Sequence, residues 1–261
     1  MNFEPIFVGG CQRSGTTVLH ALTCTSPRTN DFLNECSYFM FLYRAYVQGE
    51  KFFDHHSKFY FRDREHMKQS HSVILRNELE RTWDWLGRPE ILALKSPALT
   101  GGFPLLGEMI PGARFIVSVR DPRDVVASRL DVERKQNAGK PINVDKIVRD
   151  QCEEYRRDFE SLIEGQLGER LCVIQYEQMV AKDLSPLHRF GLTDIDPGKL
   201  WESKIHQMGK SGGGAYITPL YGGELSPASV GRYQEVLDKE KQALVLELCG
   251  DVADKVRALA A

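Results

Sequence analysis

The stretch "FVGGCQRSGTT", Phe7–Thr17, nearly spells a phosphate-binding loop. The nucleotide-binding pattern reads G-x-x-x-x-G-K-[ST]. Gly10, Gly15 and Thr17 fall into register with it, but Thr16 stands where the lysine belongs. The flanks give the loop its context: "PIFVGG" reads as a strand, "CQRSGTT" as the loop and "VLHAL" as a helix. Amides at such a helix start point at the loop, and the macrodipole favours an anion there. Gly15 lets the backbone approach closely, and Ser14, Thr16 and Thr17 add hydroxyls. Arg13, after Gln12, is the only charge, and its planar fork suits a pair of phosphate or sulfonate oxygens. A nucleoside-triphosphate enzyme needs the lysine and a strand-end carboxylate for Mg²⁺. The second strand ends instead in "LKSP" and the third in "VRDP". The cradle therefore suits a ligand with no β–γ polyphosphate and no obligatory metal.

Working outward, four apolar runs read as buried strands: Pro5–Gly9, Ile91–Lys95, Arg114–Val119 and Leu171–Tyr176. They are continuous rather than alternating, as in a parallel sheet covered on both faces. Helical stretches separate them, starting near Gly15 and Pro122, spanning about Val144 to Leu167, and closing the chain over Gln234 to Leu248. The expectation is an α/β fold: a P-loop-containing three-layer sandwich, its central parallel sheet flanked by helices, with ligands at the carboxyl ends of the strands. Residues 1–261 read as one domain. An aromatic- and histidine-rich insertion over about 36–90 reads as mostly helical and covering the mouth of the site. The glycine-rich stretch within about 209–232, with Lys210 and Ser211, reads as a lid.

The 261 residues, 42% of them hydrophobic, suffice for one large core. A net charge of −2 gives no sign of a nucleic-acid partner, so a polyanionic ligand must meet a local cluster of basic groups. Six scattered cysteines without a C-x-x-C pair read as reduced thiols, and the His66…His71 spacing misses the metal-binding pattern. No signal peptide, transit sequence or membrane span is evident, which points to a cytoplasmic enzyme.

A second motif, "SVRDPRDVVASRL", follows the third strand. Arg120 ends the strand, Asp121 can cap the next helix, and Pro122 occupies its first turn. Ser128, eight residues after Arg120, can close with it on one phosphate; taken alone, these arginines also read as surface charges. "RSGTT" followed by strand and "RDPRDVVAS" resembles the sulfotransferase family, and within it the tyrosylprotein and related Golgi and bacterial branches. The resemblance runs by motif order from Phe7 to about Tyr233. It implies that residues 12–17 bind the 5′-phosphosulfate of 3′-phosphoadenosine-5′-phosphosulfate (PAPS), and that Arg120 and Ser128 bind its 3′-phosphate. The product would be PAP. The missing lysine then has no task, since a sulfuryl group replaces the β-phosphate.

The same resemblance places Tyr176 of "VIQYEQMV" near the adenine, although a strand-end aromatic packing on the sheet is an equal reading. It places Lys95 of "LALKSP" beside the transferred group, and Ser229 and Arg232 of "ASVGRY" over the 3′-phosphate. Catalysis would need a base for the acceptor proton and cationic donors for the sulfuryl oxygens. Glu35, after Ser26–Pro27, matches the glutamate base of that branch with a small difference in length; Arg13 and Lys95 supply the cations. His55 and His56 are the rival bases, by analogy with the cytosolic branch. Two other readings stay open: a P-loop kinase or nucleotide phosphotransferase with a degenerate loop, and an idle PAP-binding module. The acceptor is a small molecule or glycan carrying a hydroxyl or amine. Sugar, phenol, alkaloid, hydroxylated lipid and polyketide all fit.

Overall fold

Four strands form one parallel sheet: β1 (Glu4–Gly9), β2 (Ile91–Lys95), β3 (Arg114–Val119) and β4 (Leu171–Gln175), in the spatial order β2-β1-β3-β4. The computed structural model describes residues 1–138, 140–202, 216–217 and 220–259. Each strand coincides with one of the apolar runs, which alternate only in which face they serve. Phe7, Leu92, Leu94, Phe115, Val117 and Val119 enter one core; Ile6, Val8, Ile91, Ile116 and Ile174 enter the other. That two-sided burial is why the strands read as unbroken hydrophobic stretches.

Helices cover both faces. The first core is closed by α2 (Ser37–Lys51), α3 (Arg64–Trp85), α4 (Phe103–Met109), α5 (Pro122–Gln136), α6 (Val144–Glu164) and the last helix. The second is closed by α1 (Thr16–Thr23), α7 (Tyr176–Val180) and α8 (Ser185–Arg189). The expected helix over Gln234–Leu248 is two: α9 (Tyr233–Val236) and α10 (Lys239–Ala258). The break lies at Leu237, which is extended, and Asp238, whose side chain accepts from the amide of Lys241 at 2.8 Å and starts α10 anew.

From β1 the chain goes first to β2 on one side and then to β3 on the other. The loops after β1 and β3 therefore flank the point where strand order reverses, the crevice in which open α/β sheets bind ligands. At the edge of β2 the segment before α2 replaces a fifth strand. Asn30 accepts from the Ala93 amide at 2.7 Å and donates to the Ala93 carbonyl at 3.1 Å, and the Cys36 amide donates to the Lys95 carbonyl at 2.9 Å. This tether runs alongside β2 and delivers Glu35 to the strand's carboxyl end. Among the described residues no helix is long and apolar enough to cross a membrane.

Candidate active site

The first loop is held by its own atoms. The Cys11 carbonyl accepts from the Ser14 amide at 3.1 Å and from the Ser14 hydroxyl at 2.7 Å. The Ser14 carbonyl accepts from the Ser118 hydroxyl at 2.6 Å, and the Gly10 amide donates to the Thr100 hydroxyl at 2.8 Å. Gly15 has φ +94°, and a Cβ there would lie 2.4 Å from the Tyr176 ring, so only glycine fits. α1 begins directly after it, leaving the first-turn amides of Thr16, Thr17 and Val18 without intrahelical acceptors. Ser14 is fully buried and spends its hydroxyl within the loop.

Lys95 and Glu35 meet. The Lys95 ammonium lies 3.0 Å from Glu35 Oε1 and 3.3 Å from the Thr17 hydroxyl. The lysine side chain is 5% exposed and the glutamate 49%, so the pair has an enclosed cation and a carboxylate open to an incoming group. Arg13 turns the other way. Its Nε donates to the Ser128 hydroxyl on α5 at 3.1 Å, and one terminal nitrogen donates to the Tyr216 carbonyl at 3.2 Å. The three residues expected to do chemistry thus divide between the two sides of the loop.

A second cluster is built around Arg120, whose side chain is 7% exposed. Its guanidinium donates to the carbonyls of Arg13 at 3.2 Å and of Ser229, and lies 4.5 Å over the Tyr176 ring. The Tyr176 hydroxyl shares a hydrogen bond with the Ser229 hydroxyl at 2.7 Å. Among the described residues, Arg120 Nε is buried without a hydrogen-bond partner. Burial, followed by the neighbouring Arg120 and Arg129 guanidinium groups, pulls the Arg13 pKa down. Cations gathered in a partly dry place, one with an unmet donor, fit a multiply charged anion.

Of the remaining expected residues, Gln12 is half-buried in the loop and Arg232 is exposed, its guanidinium 2.8 Å from Asp131 on α5. Lys210 and Ser211 lie outside the described residues. His55 and His56 are exposed beyond the far end of α2, their rings against one another and His56 also against Phe52. The 15 residues of α2 put roughly 22 Å between them and the start of that helix beside Glu35. Three contributors escaped the sequence reading: Asn30 and Thr100, which set the tether and the loop, and Asp124. The buried Asp124 carboxylate accepts from the amides of Gly231 at 2.8 Å and Tyr233 at 2.9 Å and so pins the C-terminal segment to α5. The second aspartate of "RDPRD" was its only signal.

The model of the Sulfotransferase family matches residues 5–189. No curated protein matches the chain. Solved structures share its fold at low identity. The sulfotransferase domain from the curacin biosynthetic pathway is 13% identical, with a TM-score of 0.59 over 96% of this chain and 98% of that one. The sulfotransferase domain of the Synechococcus PCC 7002 olefin synthase is 16% identical, with a TM-score of 0.56 over 95% of each chain. A sulfotransferase from Alicyclobacillus acidocaldarius is 10% identical, with a TM-score of 0.52 over 98% of this chain and 94% of that one.

Proposed function

The chain belongs to the sulfotransferase family, and from that premise we propose that it moves the sulfuryl group of PAPS to a hydroxyl or amine of a small molecule or glycan, releasing PAP. The acceptor oxygen or nitrogen bonds to sulfur as the bond from sulfur to the 5′-phosphate oxygen breaks, and Glu35 takes the acceptor proton. Lys95, the Thr17 hydroxyl and the first-turn amides of α1 face the charge that builds on the sulfuryl and bridging oxygens. Arg13, Arg120, Ser128, Tyr176 and Ser229 hold the other phosphate; Arg13, reaching Ser128, stands between the two pockets. Six unpaired cysteines agree with a reducing, cytoplasmic setting.

The observation that carries this reading is the meeting of Lys95, Glu35 and Thr17 beside the helix start. It supplies a cation and a proton acceptor within reach of one transferred group. The test is calorimetry with PAP and with Mg·ATP, followed by transfer of labelled sulfate from PAPS to a panel of phenols, sugars and alcohols. PAP binding, and transfer that Glu35→Gln abolishes while PAP binding persists, is the expected result. Binding of Mg·ATP in preference to PAP would favour phosphoryl transfer; PAP binding with no transfer to any acceptor would leave only a binding module.

A further inference from the structure

The segment joining α2 to α3 takes no part in the site. α2 starts beside Lys95 at the carboxyl edge of the sheet and carries the chain away from it. At the far end Lys68 pairs at 3.2 Å with Glu108 in α4, the helix that leads into the amino end of β3. The tip between them therefore lies at the edge opposite the crevice. Here Phe59 is 75%, Tyr60 82% and Phe52 43% exposed, while Phe53 is buried and anchors the tip in the core. Lys51 Nζ sits 5.6 Å from the Phe52 ring centre and Lys58 Nζ 5.4 Å from that of Phe59. The neighbouring arginines are committed: Arg62 to Asp63, and Arg64 to Glu50 and Asp54.

We propose that this tip seats the protein on an anionic lipid surface. Aromatic rings on a turn sit at headgroup depth, and lysines lying along them keep their stems on apolar surface while their ammonium groups reach lipid phosphates. The pairing of ring and lysine is what selects lipid over a protein groove, since the cores of protein interfaces are depleted in lysine. Docked this way, the crevice faces the water phase, from which an anionic nucleotide arrives.

The experiment is flotation of the full chain with phosphatidylglycerol-rich vesicles and with pure phosphatidylcholine vesicles. Because Arg64 pairs with both Glu50 and Asp54, one carboxylate offsets one of the two lysines, and the expected preference for the anionic vesicles is about fivefold. Lys51→Glu with Lys58→Glu should erase that preference. Phe59→Ser with Tyr60→Ser should remove flotation altogether, with circular dichroism unchanged because all four side chains are exposed. Equal binding to both vesicles, flotation that survives both double variants, or none with either vesicle overturns the proposal. So does a dimer in sedimentation velocity that Phe59→Ser with Tyr60→Ser disperses, which would make the tip a protein interface.

Discussion

The main-chain carbonyl of Arg13 accepts a hydrogen bond from the guanidinium of Arg120 at 3.2 Å. The loop after β1 and the end of β3 are thus fastened directly to each other, and the two basic groups lie on one rim of the fold. Burial first, and then the Arg120 and Arg129 charges, lower the Arg13 pKa, so the two guanidinium groups are close enough to repel each other.

Removing Arg120 takes away the cation over the Tyr176 ring and a donor buried with no partner among the described residues. Arg120→Ala should weaken PAP binding by about 2–4 kcal/mol, the worth of charged hydrogen bonds in a dry pocket. Calorimetry reads this directly, and wild-type affinity would remove Arg120 from the phosphate pocket. Arg120→Lys should restore little, because a point charge cannot serve Arg13, Ser229 and a phosphate together.

Glu35 and Lys95 should separate in their effects. Glu35→Gln preserves shape but cannot take a proton, so turnover should fall about 10²–10⁴-fold with PAP affinity unchanged. Lys95→Met removes a cation that also holds Glu35 at 3.0 Å, so both turnover and PAPS affinity should drop. Steady-state kinetics beside PAP titration distinguishes the two. Retained turnover in Glu35→Gln would move the base elsewhere.

At Gly15 both the backbone conformation and the Tyr176 ring are constraints. Gly15→Ala places a methyl 2.4 Å from the Tyr176 ring at a φ that costs an L-residue about 1–2 kcal/mol. Tyr176 must leave its place under Arg120, so anion affinity should fall with stability. If Gly15→Ala binds PAP normally, the ring moves more freely than its one hydrogen bond to Ser229 implies.

Asp124 joins α5 to residues 231 and 233 with two amide bonds from a carboxylate 1% exposed. Asp124→Ala should lower unfolding free energy by about 3 kcal/mol, leaving two amides without their acceptor. Asp124→Asn, which keeps one acceptor oxygen, should recover part of it. Urea titration of the two variants measures the difference.

Asp158 sets a pH dependence. Burial pushes its carboxyl up to about 7, with Arg157 opposing and Glu154 adding to the rise. The Cys11 thiol and the Glu154 and Asp158 carboxyl oxygens lie within 4.8 Å of one another, so a charge on Asp158 is costly there. In the unfolded chain the group ionises near 3.9. Between about pH 4 and pH 7 the unfolded state therefore loses a proton that the folded state keeps, and stability falls as pH rises through that window. Asp158→Asn should remove this fall, gaining about 2–4 kcal/mol at pH 8 and little at pH 4. Urea unfolding at the two pH values checks it, and an equal gain at both would remove Asp158 as the source.

The sheet was legible because parallel strands buried on both faces must be apolar at every position, and the runs at Ile91–Lys95 and Arg114–Val119 match the observed strands residue for residue. The loop after β1 and the start of α5 were legible because backbone geometry around Gly15 and the cap at Asp121 demand particular residues nearby. The contacts that span distant segments were not. Nothing local marks Asn30 as the partner of Ala93, Thr100 as the prop of Gly10, or Ser128 as the acceptor for Arg13. The aromatics of the insertion divided in a way composition cannot show: Phe39, Tyr43, Tyr46 and Phe53 are core, while Phe41, Phe59, Tyr60 and Trp85 are exposed. Which face a helix buries depends on what lies across from it.

The bonds from Asp124 to residues 231 and 233, with those from Tyr176 and Arg120 to Ser229, carry a consequence for how the protein can be shortened. The family match stops at residue 189, yet the contacts around Arg120 and Tyr176 are completed by chain some forty residues later. A fragment trimmed to that match would keep the loop, Arg13, Arg120 and Ser128 but lose Ser229, Arg232 and the segment that Asp124 holds. The segment that the family model matches does not hold all of the contacts around Arg120.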